Sequence, residues 1–278
     1  MPLRTGDNRG PVPISSASLI LSLALLLAPS LSSPASQLVV FAAAGGKPAV
    51  EEVCHRFQEK YGVKVGTSYG GGGEILSKMI LARKGDIYIA PEQRFMEDAR
   101  DEEAVDPTTV KTLAYMVPVI AVKKGNPKDI FSLADLGKRG VRLAITRPET
   151  TLLGEYAPEI FQKAGLKEAI MKNVVTHAAD PNHLLSMLLM DQVDAGIVWH
   201  FYGTMALETI ETVCLSPEQL TGIGKIQIAV TTYSERKKQA KRFIDFATSS
   251  KGKAVFKKCG YIVEVEELKQ YFSCEDGR

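Results

Sequence analysis

Two glycine-rich turns carry the residues whose types and spacing suit chemistry. Tyr69-Gly70-Gly71-Gly72-Gly73-Glu74 joins a strand-like segment at 63–68 to a helix-like segment at 75–81. Upstream, an apolar run at 38–44 leads through Gly45-Gly46-Lys47-Pro48-Ala49 into another helical pattern. Glycine lets the backbone approach a ligand closely. The first N–H groups of a helix have no partner inside it and carry partial positive charge. Together these features suit an anion held without a charged side chain. Neither run is a phosphate-binding loop, because no Lys-Ser or Lys-Thr follows at the required spacing. The 70–73 run also lacks the last glycine of a dinucleotide fingerprint. A tight loop explains either run taken singly; the repetition of strand, glycines and helix points to binding.

Other reactive residue types form no catalytic pattern. The four histidines are His55, His177, His183 and His200, and their spacing with Asp180 matches no metal motif. No G-x-S-x-G nucleophile elbow occurs. We therefore expect no catalytic residue, no metal site and no cofactor. An enzyme reading needs a general base, and Glu74 and His183 are its only candidates in the expected cleft. Asp86 and Asp194 precede strand-like runs and are expected to pair locally. Trp199-His200-Phe201-Tyr202 suits either a core edge or the wall of a pocket for an organic ligand.

The elements that must position these residues follow from pattern and composition. The chain has 278 residues, 45% hydrophobic and 24% charged, with a net charge of +2. That balance is ordinary for a globular protein and shows no pull toward nucleic acid. The basic cluster Arg236-Lys237-Lys238 with Lys241-Arg242 alternates with Ala240, Phe243, Ile244 and Ala247, the pattern of a solvated helix face. Residues 1–35 read as a signal peptide: Arg4 and Arg9, an apolar run at 17–28, then Ser33-Pro34-Ala35 before a cut at Ser36. The apolar run is short for a membrane span. Four cysteines allow three pairings. Cys54 suits a buried thiol, and Cys259 with Cys274 would staple the C-terminal extension.

Strand-like and helix-like patterns alternate after residue 36. Strands are expected at 38–44, 63–67, 86–90, 115–122, 141–145, 174–177, 195–199 and 225–230. Helices are expected at 49–60, 74–84 with a stop at Gly85, 91–100, from Thr150 or Thr151 to 164, 181–190 behind an Asp180 cap, and 234–249. Residues 255–271 form a mixed tail. Pro118 inside an apolar strand argues for an edge or a crossing. Such alternation predicts an α/β fold of two lobes, each a mainly parallel sheet flanked by helices. Lobe one is expected at 36–121 and 231–278, lobe two at 122–230. Ligands of open α/β sheets bind beyond the carboxyl ends of the strands. Both glycine turns, Thr150-Thr151 and Asp180-Pro181-Asn182 would face one interlobe cleft.

At this point the sequence resembles the periplasmic molybdate-binding proteins of ABC transporters. The residues that carry the resemblance are Val40 to Ala44, the stretch from Phe57 to Val65, the Gly-rich turn, Lys84-Gly85-Asp86-Ile87-Tyr88-Ile89-Ala90, Pro148-Glu149 with Gly154 and Tyr156, and Gly196-Ile197-Val198-Trp199. The match spans about 38–261. It implies a two-lobed periplasmic-binding-protein fold, no catalysis, and an exported, monomeric receptor in the periplasm. That receptor would hand a tetrahedral oxyanion, molybdate or tungstate, to a membrane permease. The family holds the oxyanion with hydroxyls and backbone N–H groups. Carried over, those positions fall on Gly45 beside Gly46, on Gly72 or Gly73, on Leu153 near Thr151, on the helix start at Asn182, and on Trp199. Two hydroxyls have become glycines and a phenol an indole, which still donates one N–H. Thr150, Thr151, Ser68, Tyr69 and Asn182 are possible replacement donors. Another oxyanion, a small carboxylate or a phosphonate is the alternative ligand, an exported enzyme the rival function, and a sensor subunit a further role.

Overall fold

The computed structural model describes residues 37–273, and the side chains up to residue 269. The signal segment and Cys274 lie outside the described residues. In chain order the strands are β1 Leu38–Ala43, β2 Val65–Gly70, β3 Ile87–Ala90, β4 Lys111–Met116, β5 Pro118–Lys123, β6 Leu143–Thr146, β7 Val174–Ala178, β8 Ala195–Trp199, β9 Ile210–Cys214 and β10 Gly224–Val230. The helices are α1 Lys47–Tyr61, α2 Gly72–Ala82, α3 Gln93–Asp101, α4 Leu152–Lys163, α5 Lys167–Met171, α6 Pro181–Leu189, α7 Tyr202–Met205, α8 Lys237–Ala247, α9 Ser250–Lys258 and α10 Val265–Ser273.

The strands form two five-stranded sheets, ordered β2-β1-β3-β10-β4 and β7-β6-β8-β5-β9. In each sheet one strand runs against the others: β10 is antiparallel to β3 and β4, and β5 to β8 and β9. Both reversed strands have just crossed from the other lobe. The expected α/β class with mainly parallel sheets therefore holds, and each sheet has the same plan.

The lobe boundaries need correction. β10 was expected in lobe two at 122–230, yet its backbone pairs with β3 and β4 of the first sheet. β5 begins at Pro118 and pairs Pro118 with Trp199, so the crossing lies at Val117 rather than after 121. The reading at 115–122 merged two strands of different sheets. Pro118 does mark the crossing, because a residue without an N–H suits the first position of a strand. An apolar run does not record which sheet supplies its partners.

Local signals place the helices that reach the cleft. α1 starts with Pro48 in its first turn and stops at Gly62, whose φ of 67° is left-handed. Its buried face, Ala49, Val50, Val53, Cys54 and Phe57, packs under the first sheet. Phe57 meets Phe243 and Phe246 of α8 at 5.0 and 5.8 Å, so the last helices return to lobe one as expected. Fully burying one such phenylalanine is worth about 1.5–3 kcal/mol. α2 ends at Arg83 in a left-handed conformation, two residues before the expected Gly85 stop. α3 begins at Gln93 rather than Pro91, with Glu92 at its N-cap.

Buried polar groups fix the frame behind the cleft. Asp86 accepts Val39 N–H at 2.9 Å and Ser234 Oγ at 2.7 Å, joining β1, β3 and the segment after β10. Asp194 holds Arg142 N and Nη2, each at 2.8 Å. Both aspartates thus pair within the frame. His200 Nδ1 accepts Val117 N–H at 3.0 Å, and His200 N–H returns a bond to Val117 O at 2.9 Å. This double bond pins one interlobe crossing. Burial pushes the imidazole down to about 4, so it stays neutral there. Cys54 is buried, and burial raises its thiol to about 12.

Candidate functional site

A cavity of about 420 Å³ lies between the lobes. Lobe one supplies the carboxyl end of β1 with the start of α1, the 70–74 turn, and the end of β3 with Glu92 and Phe95. Lobe two supplies 149–151, 179–182, and Trp199, Phe201 and Tyr202 beyond β8. These are carboxyl ends of strands, as expected for this class of sheet. Phe201 stacks on Tyr261 at 4.2 Å and 27°, so lobe two rests directly on the C-terminal segment of lobe one.

Of the residues singled out from sequence, Gly45, Gly46, Gly72, Gly73, Thr151, Asn182 and Trp199 all line this cavity. Leu153 does not. Its side chain is fully buried in the apolar cluster around α4, because Thr151 caps the helix and turns position 153 inward. Ser68 and Tyr69 also lie off the cavity wall. The two glycine positions that replace hydroxyls differ physically. A Cβ at Gly72 would stand 2.5 Å from Phe95 Cε2, so the phenyl ring requires glycine there. A Cβ at Gly45 would stand 3.5 Å from Tyr202 Oη, an ordinary contact, so a side chain would fit.

The donors expected for a ligand are largely engaged by the protein. Thr151 Oγ1 accepts Gly154 N–H at 3.1 Å and bonds Thr146 Oγ1 at 2.6 Å. Thr150 Oγ1 donates to Ala179 O at 2.7 Å. Asn182 N–H goes to Asp180 Oδ1 at 2.8 Å, and Asn182 Oδ1 accepts Tyr202 Oη at 3.1 Å. Glu74 Oε2 accepts Gly71 N–H at 3.0 Å, in front of α2. At the start of α4, Leu152 N–H donates to Glu92 Oε2 at 2.7 Å, and the Trp199 side chain hydrogen-bonds to the same carboxylate. Burial raises Glu92 to about 7, with the Leu152, Arg94 and Trp199 contacts opposing the shift. Three of the four helix N-termini expected to provide the field thus already face a carboxylate of the chain. α1 differs: no side chain caps it.

The electrostatics follow. Among the described residues the lining includes Glu74, Glu92, Glu149 and Asp180 and no lysine, arginine or histidine. Val50, Ile89, Phe95, Met116, Ile226 and Phe256 supply apolar wall. Beside the cavity the lobes are tied together. Arg94 Nη1 and Nη2 donate to Pro148 O and Glu149 O at 2.9 and 3.0 Å, and Arg94 pairs with Glu155. Gln93 Nε2 reaches Tyr156 Oη at 3.3 Å. His183 is exposed and off the wall, so of the two general-base candidates Glu74 alone lines the cavity. Among the described residues no group of three or more His, Cys, Asp or Glu could hold a metal ion. Sequence reasoning missed Glu92, while Tyr202 belonged to the aromatic run that suited a pocket wall. The signal for Glu92 was available, since it follows β3 at a carboxyl strand end. Tyr202 stands three residues beyond the tyrosine position carried over to Trp199.

Comparison with known proteins agrees with this geometry. A Haemophilus influenzae protein described only as a binding protein is 28% identical over 83% of this chain and 93% of its own. The Escherichia coli molybdate-binding protein ModA is 25% identical over 82% of this chain and 90% of its own. Among solved structures, PEB3 with bound L-phospholactate superposes with a TM-score of 0.70 at 20% identity, covering 82% of this chain and 100% of that one, which shows the shared fold. Residues 38–262 match the bacterial extracellular solute-binding proteins, nearly the whole of both sheets, and the chain belongs to that family.

Proposed function

We propose that this protein is the receptor of an ABC importer, exported to the periplasm, which closes over a small anion and presents it to a membrane permease. The observation that carries this reading is the interlobe cavity into which α1 brings an N-terminus that no side chain caps. Such an end offers oriented N–H groups and partial positive charge. Ligand contacts from both lobes exist together only in the closed state, so binding shifts the population toward closure. The permease would recognise that closed form.

Molybdate is the ligand that the ModA relative suggests, and we include tungstate as an oxyanion of the same shape and charge. A second reading, an anion with an organic body or its own proton, is favoured by the wall. Four carboxylates, with no cation among the described lining residues, oppose a bare dianion, and about 420 Å³ with apolar sides exceeds what a tetrahedral ion fills. Neither reading uses catalysis, and a sensor role would employ the same cleft. The test is a thermal-shift screen of residues 36–278 against molybdate, tungstate, sulfate, phosphate and small carboxylates. A ligand at 100 times its dissociation constant adds about 2.7 kcal/mol to the native state. A shift with molybdate or tungstate alone supports the first reading, and a shift with phosphate or an organic acid supports the second. If no anion shifts the melt, the receptor reading for anions fails.

A further inference from the structure

Glu92 sits where the sequence placed the ligand. The second-lobe backbone donor and the Trp199 indole, both expected to hold an anion, converge on its carboxylate instead. Glu92 belongs to lobe one and Leu152 to lobe two, so this bond also bridges the cleft. Glu92 as a residue is 5% exposed and lines the cavity. A carboxylate has about four acceptor positions, so the two contacts above leave acceptor capacity on a residue that lines the cavity. Around it stand Arg94 and Glu155 outside the wall and the phenols of Tyr156 and Tyr202. The Arg94 guanidinium is engaged by Pro148 O, Glu149 O and Glu155, and Arg94 itself is not part of the lining.

An anion seated in this cavity meets a second anion, with no cationic side chain among the described residues of the wall between them. Two like charges in such surroundings repel unless a hydrogen stands between them. We propose that Glu92 sets the specificity of the cleft: its carboxylate accepts a hydrogen bond from the ligand's own O–H or N–H, so the site selects donor-bearing anions, such as 2-hydroxy acids or hydrogen phosphate, over fully deprotonated oxyanions. The proposal rests on the second reading of the ligand given above. The acidic end of the ligand takes the α1 side at Gly45-Gly46, and the donor end takes Glu92. The raised titration of Glu92 fits a group that shares a proton near neutrality.

Matched pairs of probes test this at pH 8, where Glu92 is ionised. Phosphate and sulfate differ in one O–H at nearly constant size, as do glycolate and acetate. Calorimetric titration of the wild type should show phosphate and glycolate bound at least about tenfold more tightly than their partners, which is roughly one charge-assisted hydrogen bond. Glu92→Gln should bring both ratios below about threefold, chiefly by tightening sulfate and acetate, and Glu92→Asp should keep the preference. Ratios near one in the wild type, or ratios that Glu92→Gln leaves unchanged, overturn the proposal while the receptor reading stands. Binding of no probe by a wild type with a normal melt overturns both the proposal and the second reading of the ligand, and leaves the receptor reading to the molybdate and tungstate titrations. Melting of each variant separates lost folding from lost selectivity, and a merely structural role for Glu92 would weaken both members of a pair alike.

Discussion

The N-termini of α1 and α4 enter the same cavity from opposite lobes and differ in one respect. α4 carries its own acceptors: Thr151 Oγ1 on Gly154 N–H and, from the other lobe, Glu92 on Leu152 N–H. α1 has Gly46 at its N-cap and therefore no side-chain acceptor there. A helix start attracts negative charge by about 0.3–1 kcal/mol at the surface and up to about 2 kcal/mol when partly buried. That attraction is indifferent to whether the charge belongs to the chain or to a solute. A glycine turn becomes an anion site only where the protein withholds its own carboxylate; on the proposed reading the solute's charge sits at α1, and Glu92 of the same lobe, held from lobe two by Leu152 N–H, sets its chemistry.

The contrast can be broken most directly by giving α1 what α4 has. Gly46→Asp has room, since a Cβ there meets only Val50 Cγ2 at 3.9 Å. We expect it to weaken binding of the best anion on the order of 100-fold, from like-charge repulsion of several kcal/mol offset by relaxation. Unchanged affinity by calorimetry would show that the anion does not sit at α1. Gly72→Ala should lower stability by about 1–3 kcal/mol, because the methyl overlaps Phe95. Urea unfolding would read it, and Phe95→Leu in the same chain should restore most of the loss. A neutral result would separate Gly72 from packing and return it to ligand selection.

The next effect is a pH dependence. Glu92 is raised by burial from 4.5 to about 7, so its protonation stabilises the fold fully below pH 4.5, and that contribution disappears as pH rises through 7. His200 is lowered by burial from 6.5 to about 4, so its contribution is present above pH 6.5 and disappears as pH falls toward 4. The two oppose each other between pH 4.5 and 6.5. Melting temperatures of Glu92→Gln should therefore fall more steeply on acidification from pH 7 to 5 than those of the wild type. Parallel curves would place Glu92 in contact with solvent. The smallest expected change is Gly45→Ser, within about 0.5 kcal/mol of wild-type stability. Its hydroxyl adds a donor on the α1 side, so sulfate affinity should rise while the preference set by Glu92 persists. A large destabilisation would show that the approach of Tyr202 Oη requires glycine.

Much of the fold was legible from residue patterns. The alternation of period-two and helical segments placed β1, α1, β3, α6 and β8 within a few residues, because local periodicity and caps such as Asp180 act over one element. The short α5 and the edge strand β9 were not read, since neither carries a strong period. Seven of the eight candidate residues reached the cavity, for strand ends and helix starts define where a ligand lies. Leu153 failed because a one-residue offset around a helix start turns a side chain from cleft to core.

The sequence by itself determined the class of molecule: two α/β lobes, glycine turns facing each other, and a cleft without a catalytic pattern. Only the tertiary structure decided which strands pair across the crossings, moving β10 to the first sheet and β5 to the second. It alone also decided which donors remain for a solute. Glu92 and Leu152 are 60 residues apart in the chain, and nothing local in either segment foretells their bond. Hydrogen bonds across a cleft depend on the relative placement of two lobes, which long-range packing fixes and short-range pattern does not record.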